Sequence, residues 1–472
     1  MASKINLVKW SLLLMVSGLV ACKVGRDYQR PEIAAPAQFR TVSTSDTSSI
    51  ANIEWKLFFT DTTLQGLISR GVAYNYDLQL ALRRIDIARE QVRQAKLSLL
   101  PSLSLQIAAQ TSIPSKNSLN GISLNSFLGK SHIEDYNLSG SLSWEADIWG
   151  KIRRQKEATI AQYLQTYEGA KAVQTQLVAG IAQGFYNLLM LDAQMGIARR
   201  NLALSDSTLL VTRLQRDAGD VTTLAVEQAE SQRLSTAVLI PQIEQAIAIQ
   251  ENALSVLTGE NPGVINRPVS LGDLGLPESL PTGLPAAIVS RRPDVRSSEM
   301  ALVAANAQVG VATGNLYPTL VISAQGGLNS FRASDWFSMP GSLFGNLVGG
   351  ITQPIFQQRK LKTQLEIAKI QREQSVIQFK QSVLTAVGEV SDALVRVDKL
   401  RQQQSITAAQ VDTLRHAIQN AQLLFKSGLA NYLEVITAQA SSLQAELSLA
   451  DIRRQELSSV VDLYRSLGGG WK

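Results

Sequence analysis

Cysteine and histidine are almost absent from this chain of 472 residues. Its one cysteine is Cys22, and its two histidines are His132 and His416. A single thiol cannot form an internal disulfide, and neither a CxxC pair nor a His pair close in sequence is available to bind a metal ion. We expect no metal site and no cofactor. Because no nucleophile–base pair, phosphate loop or paired-carboxylate motif is evident, nothing supports an enzyme.

Runs of like charge are also missing. The chain has 45 Lys and Arg against 39 Asp and Glu, which gives a net charge of +6. The basic residues do not collect into a run of five or more, whereas a nucleic-acid surface would need such clustering. We therefore expect a well-mixed, mildly basic surface and no nucleic-acid partner.

The N-terminal apolar segment is short. It runs from Trp10 to Val20 after Lys4 and Lys9, which is too short to span a bilayer as a helix and is typical of a secretory signal. We therefore predict a signal peptide over residues 1–21 and a chain that leaves the cytoplasm.

The signal ends in Leu19-Val20-Ala21-Cys22, which resembles the bacterial lipoprotein box. Its cysteine becomes lipidated, and each buried CH₂ of an acyl chain contributes about 0.8 kcal/mol to membrane anchoring. The alternative is an incidental cysteine after an ordinary signal peptide. Lys23 follows, where an Asp would favour retention in the inner membrane, so the resemblance favours the outer membrane.

The segment that follows Cys22 is rich in Pro, Ser and Thr and has no sustained period up to about Asn52. This composition is typical of an extended linker. We predict a lipidated N-terminal tether over residues 22–60.

The rest of the chain contains an internal duplication. Residues 77–101 and 294–318 both run from Asp to Pro over the same number of positions. The identities at the shared offset of 217 are Ala88 with Ala305, Gln91 with Gln308, Val92 with Val309, and Leu99 with Leu316. We predict one repeat over residues 61–265 and a second over 266–472.

Each repeat contains two stretches in which apolar and small polar residues alternate, the pattern of a β-strand. The apolar positions are Leu103, Leu105 and Ile107, then Leu138, Leu142 and Trp144, then Leu320, Ile322 and Ala324, then Leu343, Leu347 and Ile351. Each stretch spans about ten residues, the length of a tilted transmembrane strand. A soluble β-sandwich would show the same alternation, so the pattern predicts four strands in two hairpins without choosing the environment.

A long helical hairpin follows each pair of strands. Residues 151–216 and 359–426 contain no proline, and each stretch would reach about 100 Å as a helix. Apolar residues recur at heptad spacing, which predicts coiled-coil packing. These residues are Ile181, Leu188, Met195, Leu202 and Leu209 in the first, and Val383, Val387, Val390, Leu394 and Val397 in the second. Both helices end at a glycine, Gly219 or Gly428, after which a return helix begins.

Four strands cannot close a membrane barrel on their own. The two edge strands would leave N–H and C=O groups unpaired in hydrocarbon. If the strands lie in a membrane, the protomer must therefore oligomerise. The faces of Ser, Asn, Gln and Gly suit a water-filled lumen.

Several longer runs identify a family resemblance. They are Val24-Gly25-Arg26-Asp27-Tyr28-Gln29-Arg30-Pro31, Ser143-Trp144-Glu145-Ala146-Asp147-Ile148-Trp149-Gly150-Lys151-Ile152-Arg153, Leu284-Pro285, Arg291-Arg292-Pro293-Asp294-Val295, Ala304-Ala305-Asn306-Ala307 and Leu467-Gly468-Gly469-Gly470-Trp471. Together they resemble the TolC-like outer-membrane efflux proteins, in particular their lipoprotein branch, except that Arg26 stands where that branch often has proline.

The resemblance implies an α+β membrane protein with an internal duplication. Its fold class would be a trimeric outer-membrane β-barrel, four strands per protomer, continued by a long periplasmic α-helical coiled-coil barrel. The implied partners are two further copies in a homotrimer, a periplasmic adaptor, an inner-membrane pump of the RND or a similar type, and outer-membrane lipid. The implied function is the outer-membrane channel of a tripartite system that exports drugs or other small solutes. A lipid-anchored periplasmic coiled-coil scaffold or adaptor remains the alternative.

The resemblance also suggests two groups of site residues near the glycine turns. The predicted adaptor-contacting tips are Gly219, Val221, Gly428, Leu429, Ala430 and Leu433. The candidate periplasmic gate comprises Arg213, Arg216 and Asp217 in the first hairpin, and Asp412, Arg415, His416 and Gln419 in the second. A positive backbone φ at each glycine, and a solvated charged helix face, would explain the same residues without either function.

Overall fold

The computed structural model describes residues 24–33, 49–275, 281–283 and 285–472. The predicted signal peptide and the lipidation site Cys22 lie outside the described residues. Among the helices of the described ranges, none is both long and apolar enough to cross a membrane.

The helices and strands alternate as the duplicated sequence predicts. In the first half they are α1 Trp55–Phe58, α2 Thr62–Tyr74, α3 Tyr76–Leu97, β1 Ser102–Ser112, α4 Leu119–Leu128, β2 Ile133–Ala146, α5 Lys151–Ala218, α6 Thr223–Ala237 and α7 Leu239–Thr258. In the second half they are α8 Ile288–Arg291, α9 Pro293–Gly314, β3 Thr319–Ser330, β4 Leu343–Thr352, α10 Lys360–Lys426 and α11 Tyr432–Ser466.

The four predicted strands form one antiparallel sheet in the order β1-β2-β3-β4. Ser104 lies opposite Ser141 between β1 and β2, and Leu142 lies opposite Ala324 between β2 and β3. Ala324 in turn lies opposite Leu347 in β4. The register therefore keeps apolar positions opposite apolar positions across all four strands.

The sheet has one apolar face and one polar face, because side chains alternate along each strand. Leu103, Leu105 and Leu347 on the apolar face are 79%, 74% and 75% exposed within the protomer. On the polar face, Ser104 and Ser141 hydroxyls lie 2.7 Å apart, and the Gln325 amide donates to the Ser139 hydroxyl over 3.1 Å. A sheet with this exposed apolar face needs an apolar surrounding.

Aromatic residues stand at both ends of the sheet. Trp149 follows β2, donates its indole N–H to the Pro318 carbonyl over 2.7 Å and stacks on Tyr317 with ring centroids 4.9 Å apart. Near the opposite end, Tyr136 and Trp336 have ring centroids 5.4 Å apart. Aromatic rings at such positions are typical of membrane–water interfaces.

The two long helices match the predicted stretches closely. Ile181, Leu188 and Met195 in α5, and Val383 and Val390 in α10, are buried as a coiled-coil seam requires. The two return helices differ. The first is broken at Val238 between α6 and α7, whereas the second is one continuous helix, α11.

The chain forms two compact units that do not follow the two sequence repeats. One comprises the sheet with residues 86–164, 300–377 and the described part of 1–31, and the other comprises most of the helical residues in 32–85, 165–299 and 378–472. Each unit takes segments from both repeats.

The helical unit has an apolar core beside a close helix approach. Leu64, Leu67 and Ile68 of α2 are almost fully buried, as is Ile181 of α5. A Cβ on Gly71 of α2 would lie 2.3 Å from the Ile181 Cδ1 atom. A side chain at Gly71 would force the end of the Ile181 side chain to move, because the interior is closely packed.

The Arg291-Arg292-Pro293-Asp294 run provides a buried ionic contact in the helical unit. Arg292 donates to the Asp294 and Glu389 carboxylates, over 2.6 and 2.8 Å, and to the Ser466 carbonyl over 3.0 Å. Burial raises the pKa of Asp294, but the hydrogen bond and charge of Arg292, together with backbone N–H donors, outweigh it and hold that pKa below its usual value. Arg292 thus ties the start of α9 to α10 and to the end of α11.

The described part of the predicted N-terminal tether, residues 24–33 and 49–60, includes the short helix α1 and several buried residues. Ile50, Ala51 and Trp55 are buried, and the Tyr464 hydroxyl donates to the Ile53 carbonyl over 2.6 Å. Composition predicted an extended linker over this region. Its few apolar residues instead join the core of the helical unit.

Candidate functional site: hairpin tips and adjacent charges

The two helical turns near Gly219 and Gly428 have the same backbone design. The Gly219 N–H donates to the Arg216 carbonyl over 2.9 Å, and the Asp220 N–H donates to the Gln215 carbonyl over 2.8 Å. Gly428 and Leu429 repeat this pattern over 3.1 and 2.9 Å, to Phe425 and Leu424. These paired bonds form the Schellman motif, which satisfies the last carbonyls of a helix.

Both glycines are in the left-handed region, with φ +88° at Gly219 and φ +73° at Gly428. A Cβ at either position would meet no atom within 4 Å in the described residues. The requirement for glycine is therefore conformational and does not come from crowding.

Each return helix starts with a side-chain cap. The Thr222 hydroxyl accepts from the Ala225 N–H over 3.4 Å, and the Asn431 side-chain oxygen accepts from the Leu433 N–H over 2.8 Å. An N-cap satisfies N–H groups that the first turn leaves open. Only two residues separate each glycine from its cap, so the reversals are tight.

The predicted tip residues are largely solvent-exposed. Gly219, Gly428 and Leu429 are exposed, as is Leu433, while Val221 and Ala430 are half-buried. Leu429 is 77% exposed and Leu433 is 53% exposed. The second tip thus presents more apolar surface than the first, in which the charged Asp220 occupies the position equivalent to Leu429.

The two hairpins pack against each other just behind the tips. Leu209, Val226 and Ala229 form a buried cluster against which Ile436 packs. The Tyr432 hydroxyl donates to the Gln228 side chain over 2.6 Å, and the Gln439 amide donates to the buried Thr208 hydroxyl over 2.7 Å. These contacts hold the two tips in a defined arrangement within the protomer.

The charged residues of the first hairpin form a ladder between α5 and α6. Arg213 pairs with Glu230 over 2.8 Å, and Arg233 pairs with Glu230 over 3.7 Å and with Asp206 over 2.5 Å. Contact with Asp206 is the main cause that raises the pKa of Arg233. The ladder links the outgoing helix to the returning one.

The charged residues of the second hairpin meet at Glu446 of α11. Arg415 of α10 pairs with Glu446 over 3.0 Å, and Arg200 of α5 approaches the same carboxylate to 4.0 Å. The Glu446 side chain is only 11% exposed. This carboxylate therefore connects α10 and α11 to the first hairpin.

The proposed gate residues do not all contact one another within the protomer. Arg216 pairs with its neighbour Asp217 over 2.5 Å. Among the described residues, no ion pair joins Asp412 or Arg415 to Arg213, Arg216 or Asp217. His416 and Gln419 lie exposed on α10. A gate formed by these residues would have to use contacts between protomers.

Two of these ion pairs, Arg213 with Glu230 and Arg415 with Glu446, can be predicted from their spacing in the sequence. Arg213 lies eight residues before Val221, and Glu230 lies eight residues after Thr222. Arg415 and Glu446 lie fifteen residues to either side of Ala430 and Asn431. Residues equidistant from a tight reversal face each other across a helical hairpin, so opposite charges at equal distances predict a pair.

The described residues contain no group of three or more His, Cys, Asp or Glu side chains arranged to hold a metal ion. The predicted tips combine exposed apolar side chains, such as Leu429, with ion pairs on the adjacent helices.

An antiparallel sheet with one exposed apolar face, together with two long helical hairpins, is the architecture expected of an outer-membrane channel protein. The model of the outer membrane efflux protein family matches residues 67–260 and 284–469. The chain belongs to this family, and it is an outer-membrane efflux channel. The predicted α+β membrane fold, with four strands per protomer, is confirmed.

Named relatives span nearly the whole chain. The probable outer membrane lipoprotein SilC of Salmonella typhimurium is 29% identical over 473 residues, covering 99% of each chain. The cation efflux system protein CusC of Escherichia coli K12 is 29% identical over 455 residues, covering 96% of this chain and 97% of CusC. The structure of the outer-membrane channel OprN has a TM-score of 0.87 at 27% identity, covering 95% of this chain and 100% of OprN.

We predict that Gly428→Ala loosens the second tip, because a side chain in left-handed backbone costs about 1–2 kcal/mol. Amide hydrogen exchange of residues 424–433 should quicken by roughly 5- to 30-fold. Gly388→Ala is the matched control, because Gly388 lies inside α10 and its Cβ would also meet nothing within 4 Å. That change should stabilise its helix by about 0.5–1 kcal/mol. Equal exchange at the tip in both variants would contradict the conformational role of Gly428.

Proposed function

We propose that the chain is a lipid-anchored protomer of a homotrimeric efflux duct. Three four-stranded sheets close a twelve-stranded barrel in the outer membrane, and the helical hairpins form the periplasmic part of the conduit. The observation that carries the proposal is the open four-stranded sheet with an exposed apolar face. Its two outer strands, β1 and β4, each pair on one side only.

The need for further copies comes from the sheet edges. A bilayer offers no hydrogen-bond partner to an unpaired backbone group, and each such group costs several kcal/mol. Pairing of β4 with β1 of the next protomer removes both edges. Cyclic symmetry then repeats the same interface around the ring.

The two faces of the sheet support this arrangement. Leu105 and Leu347 lie on the apolar face, which would meet lipid. Ser104 and Gln325 lie on the polar face, which would line water. Within the strands, the polar face carries charge only near the ends of β2, at Asp135 and Glu145. An almost uncharged lumen suits the passage of varied drugs or other small solutes.

The tips support docking of a periplasmic adaptor. Leu429 and Leu433 offer exposed apolar side chains at a rigid helical reversal, and Gly219, Val221, Gly428 and Ala430 complete the predicted surface. An adaptor with its own helical hairpin can pack against such tips through side-chain interdigitation. The adaptor would connect the duct to an inner-membrane pump, of the RND or a similar type.

The charged residues beside the tips are our candidates for the resting gate. Arg213, Arg216 and Asp217 of the first hairpin, with Asp412, Arg415, His416 and Gln419 of the second, lie on helices that reach the tips. In the trimer, the pair between Arg415 and Glu446 would fix α10, which presents Asp412, against α11. Exposed ion pairs are individually weak, so such a gate could open when an adaptor binds.

We further propose that Cys22 carries the lipid anchor, that the protein has no enzymatic activity, and that it binds no nucleic acid. A periplasmic coiled-coil scaffold or adaptor would account for the lipid box and the heptads. It would not account for the paired strands with an exposed apolar face. The duct is therefore the better supported function.

The sheet faces lead to a test by substitution. We expect Leu105→Arg to prevent assembly in the outer membrane, because an arginine facing lipid near the bilayer midplane costs about 2–4 kcal/mol per copy. Ser104→Arg, one residue earlier, should assemble and alter single-channel conductance because its side chain faces water. The heat-resistant oligomer in outer-membrane fractions is measured by electrophoresis, and conductance in planar bilayers.

Equal loss of oligomer in the Leu105→Arg and Ser104→Arg variants would count against a membrane barrel. The matched pair removes the effects of strand position and added charge, because both residues lie in β1 and both become arginine.

The gate leads to a second test. We expect Asp412→Ala combined with Arg415→Ala to raise single-channel conductance, because every protomer loses both candidate gate charges and the shorter of the two ion pairs of Glu446. The control is Glu366→Ala combined with Lys369→Ala, which removes an exposed ion pair of 2.8 Å on the same helix. This control should leave conductance unchanged. An assembled channel in which the first variant conducts like the control would place the gate elsewhere.

A further inference from the structure

The first described residues lie against the junction between the strands and helices. The Val24 N–H donates to the Trp149 carbonyl over 3.1 Å. The Asn306 amide of α9 donates to the Arg26 carbonyl over 3.0 Å. The residues that directly follow the lipoprotein box therefore have defined backbone contacts.

Arg154 is the centre of this docking. Its side chain is 1% exposed, and its Nε and Nη2 atoms donate to the Val24 and Gly25 carbonyls over 3.2 and 3.0 Å. Its Nη1 atom lies 3.0 Å from the Asp27 carboxylate and 2.7 Å from that of Glu157. A buried arginine is costly unless its charge and donors find partners. Here most of those partners belong to the N-terminal segment.

Two glycines make room for the contact. Gly25 has φ +88°, and a Cβ there would lie 2.9 Å from the Gly310 Cα atom. A Cβ on Gly310 would lie 2.9 Å from the Arg154 Cγ atom and 3.1 Å from its Nε atom. The segment, the arginine and α9 are thus in close contact, with no space for a side chain at either glycine.

We propose that Arg154 is a positioning residue for the lipid anchor, which it fixes to the rim of the sheet through residues 24–27. Cys22 precedes Val24 by two residues, so the chain can carry it at most about 7 Å from Val24. Trp149 and Tyr317 mark an interfacial depth at the same junction. The acyl chains would therefore enter the lipid next to the barrel wall and at a fixed height.

The anchoring role of Arg154 rests on the proposed lipidation of Cys22, but the docking of residues 24–27 on Arg154 does not. The contacts of Arg154 with residues 24–27 exist whether or not the cysteine is acylated. Intact mass of the mature protein measures the acyl chains separately from the docking. Failure of lipidation and failure of the docking on Arg154 are therefore distinguishable.

The test compares Arg154→Met with Lys156→Met in the full-length protein in nanodiscs. Both changes remove one positive charge from α5, but none of the described hydrogen bonds or ion pairs joins Lys156 to the N-terminal segment. We expect amide exchange of residues 24–30 to quicken roughly tenfold or more in Arg154→Met, since charge-assisted hydrogen bonds are lost. Lys156→Met should exchange like the wild type.

Two further variants separate positioning from a general loss of folding. Arg154→Lys keeps the charge but replaces the planar fork of Nε, Nη1 and Nη2 by a single ammonium that cannot match all four contacts, so its exchange should be intermediate. Gly25→Ala leaves the arginine in place and disturbs the docking from the other side, so its exchange should match Arg154→Met. If Arg154→Met does not fold, Gly25→Ala still tests the docking of residues 24–27.

If amide exchange of residues 24–30 is unchanged in a folded Arg154→Met protein, or in Gly25→Ala, the proposed positioning role of Arg154 is overturned. Faster exchange in these variants with intact, acylated Cys22 would support the whole proposal. Faster exchange with an unmodified Cys22 would leave the docking in place and overturn its role as a lipid anchor.

Discussion

Hydrogen bonding of the backbone within hydrocarbon is the constraint on which this architecture depends. In a bilayer, each N–H and C=O must find a partner within protein, and a four-stranded sheet leaves the outer sides of β1 and β4 open. A four-stranded sheet in a bilayer therefore needs further strands beside β1 and β4. The alternation of Leu and Ser along β1 then decides which face meets lipid.

The internal duplication supplies the strands and helices of the protomer in two equivalent sets. Each repeat supplies one strand pair and one helical hairpin, and the two repeats use the same local devices. A left-handed glycine ends α5 and α10, and a polar cap at Thr222 or Asn431 starts each return helix. Because the reversals are equivalent, helices from both repeats pack side by side behind the tips. The differences lie in the side chains, such as Asp220 against Leu429.

Local patterns in the sequence were sufficient for much of the fold. Alternation predicted four strands, and absence of proline with heptad spacing predicted α5 and α10 to within a few residues. Gly219 and Gly428 marked the turns, because few other residues tolerate a positive φ. Helix α4, which lies between β1 and β2, was not predicted. The break at Val238 was not predicted, although Pro241 signals it, because a proline has no N–H to donate to the Ala237 carbonyl one turn earlier.

The candidate site was less predictable, because its contacts are distant in sequence. Nothing local distinguishes Arg154, which is buried, from Arg153, which is exposed. Arginine is rarely buried, and the Pro-, Ser- and Thr-rich composition after Cys22 predicted an extended tether without indicating its contact with Arg154. The partners of Arg213 and Arg415 depend on the register of two helical hairpins. Contacts between protomers depend on assembly, which no local pattern encodes.

The most direct test of the central claim is disulfide cross-linking between β1 and β4. Cysteines on the polar face, at Ser102, Ser104 or Gln106 in β1, are combined with cysteines at Asn346, Val348 or Gly350 in β4. Within one sheet these strands are about 14 Å apart, too far for a disulfide. We predict that at least one combination in outer membranes gives, on oxidation, a covalent ladder ending at three chains. Only monomers from every combination, in protein inserted in the membrane, would contradict a barrel closed between protomers.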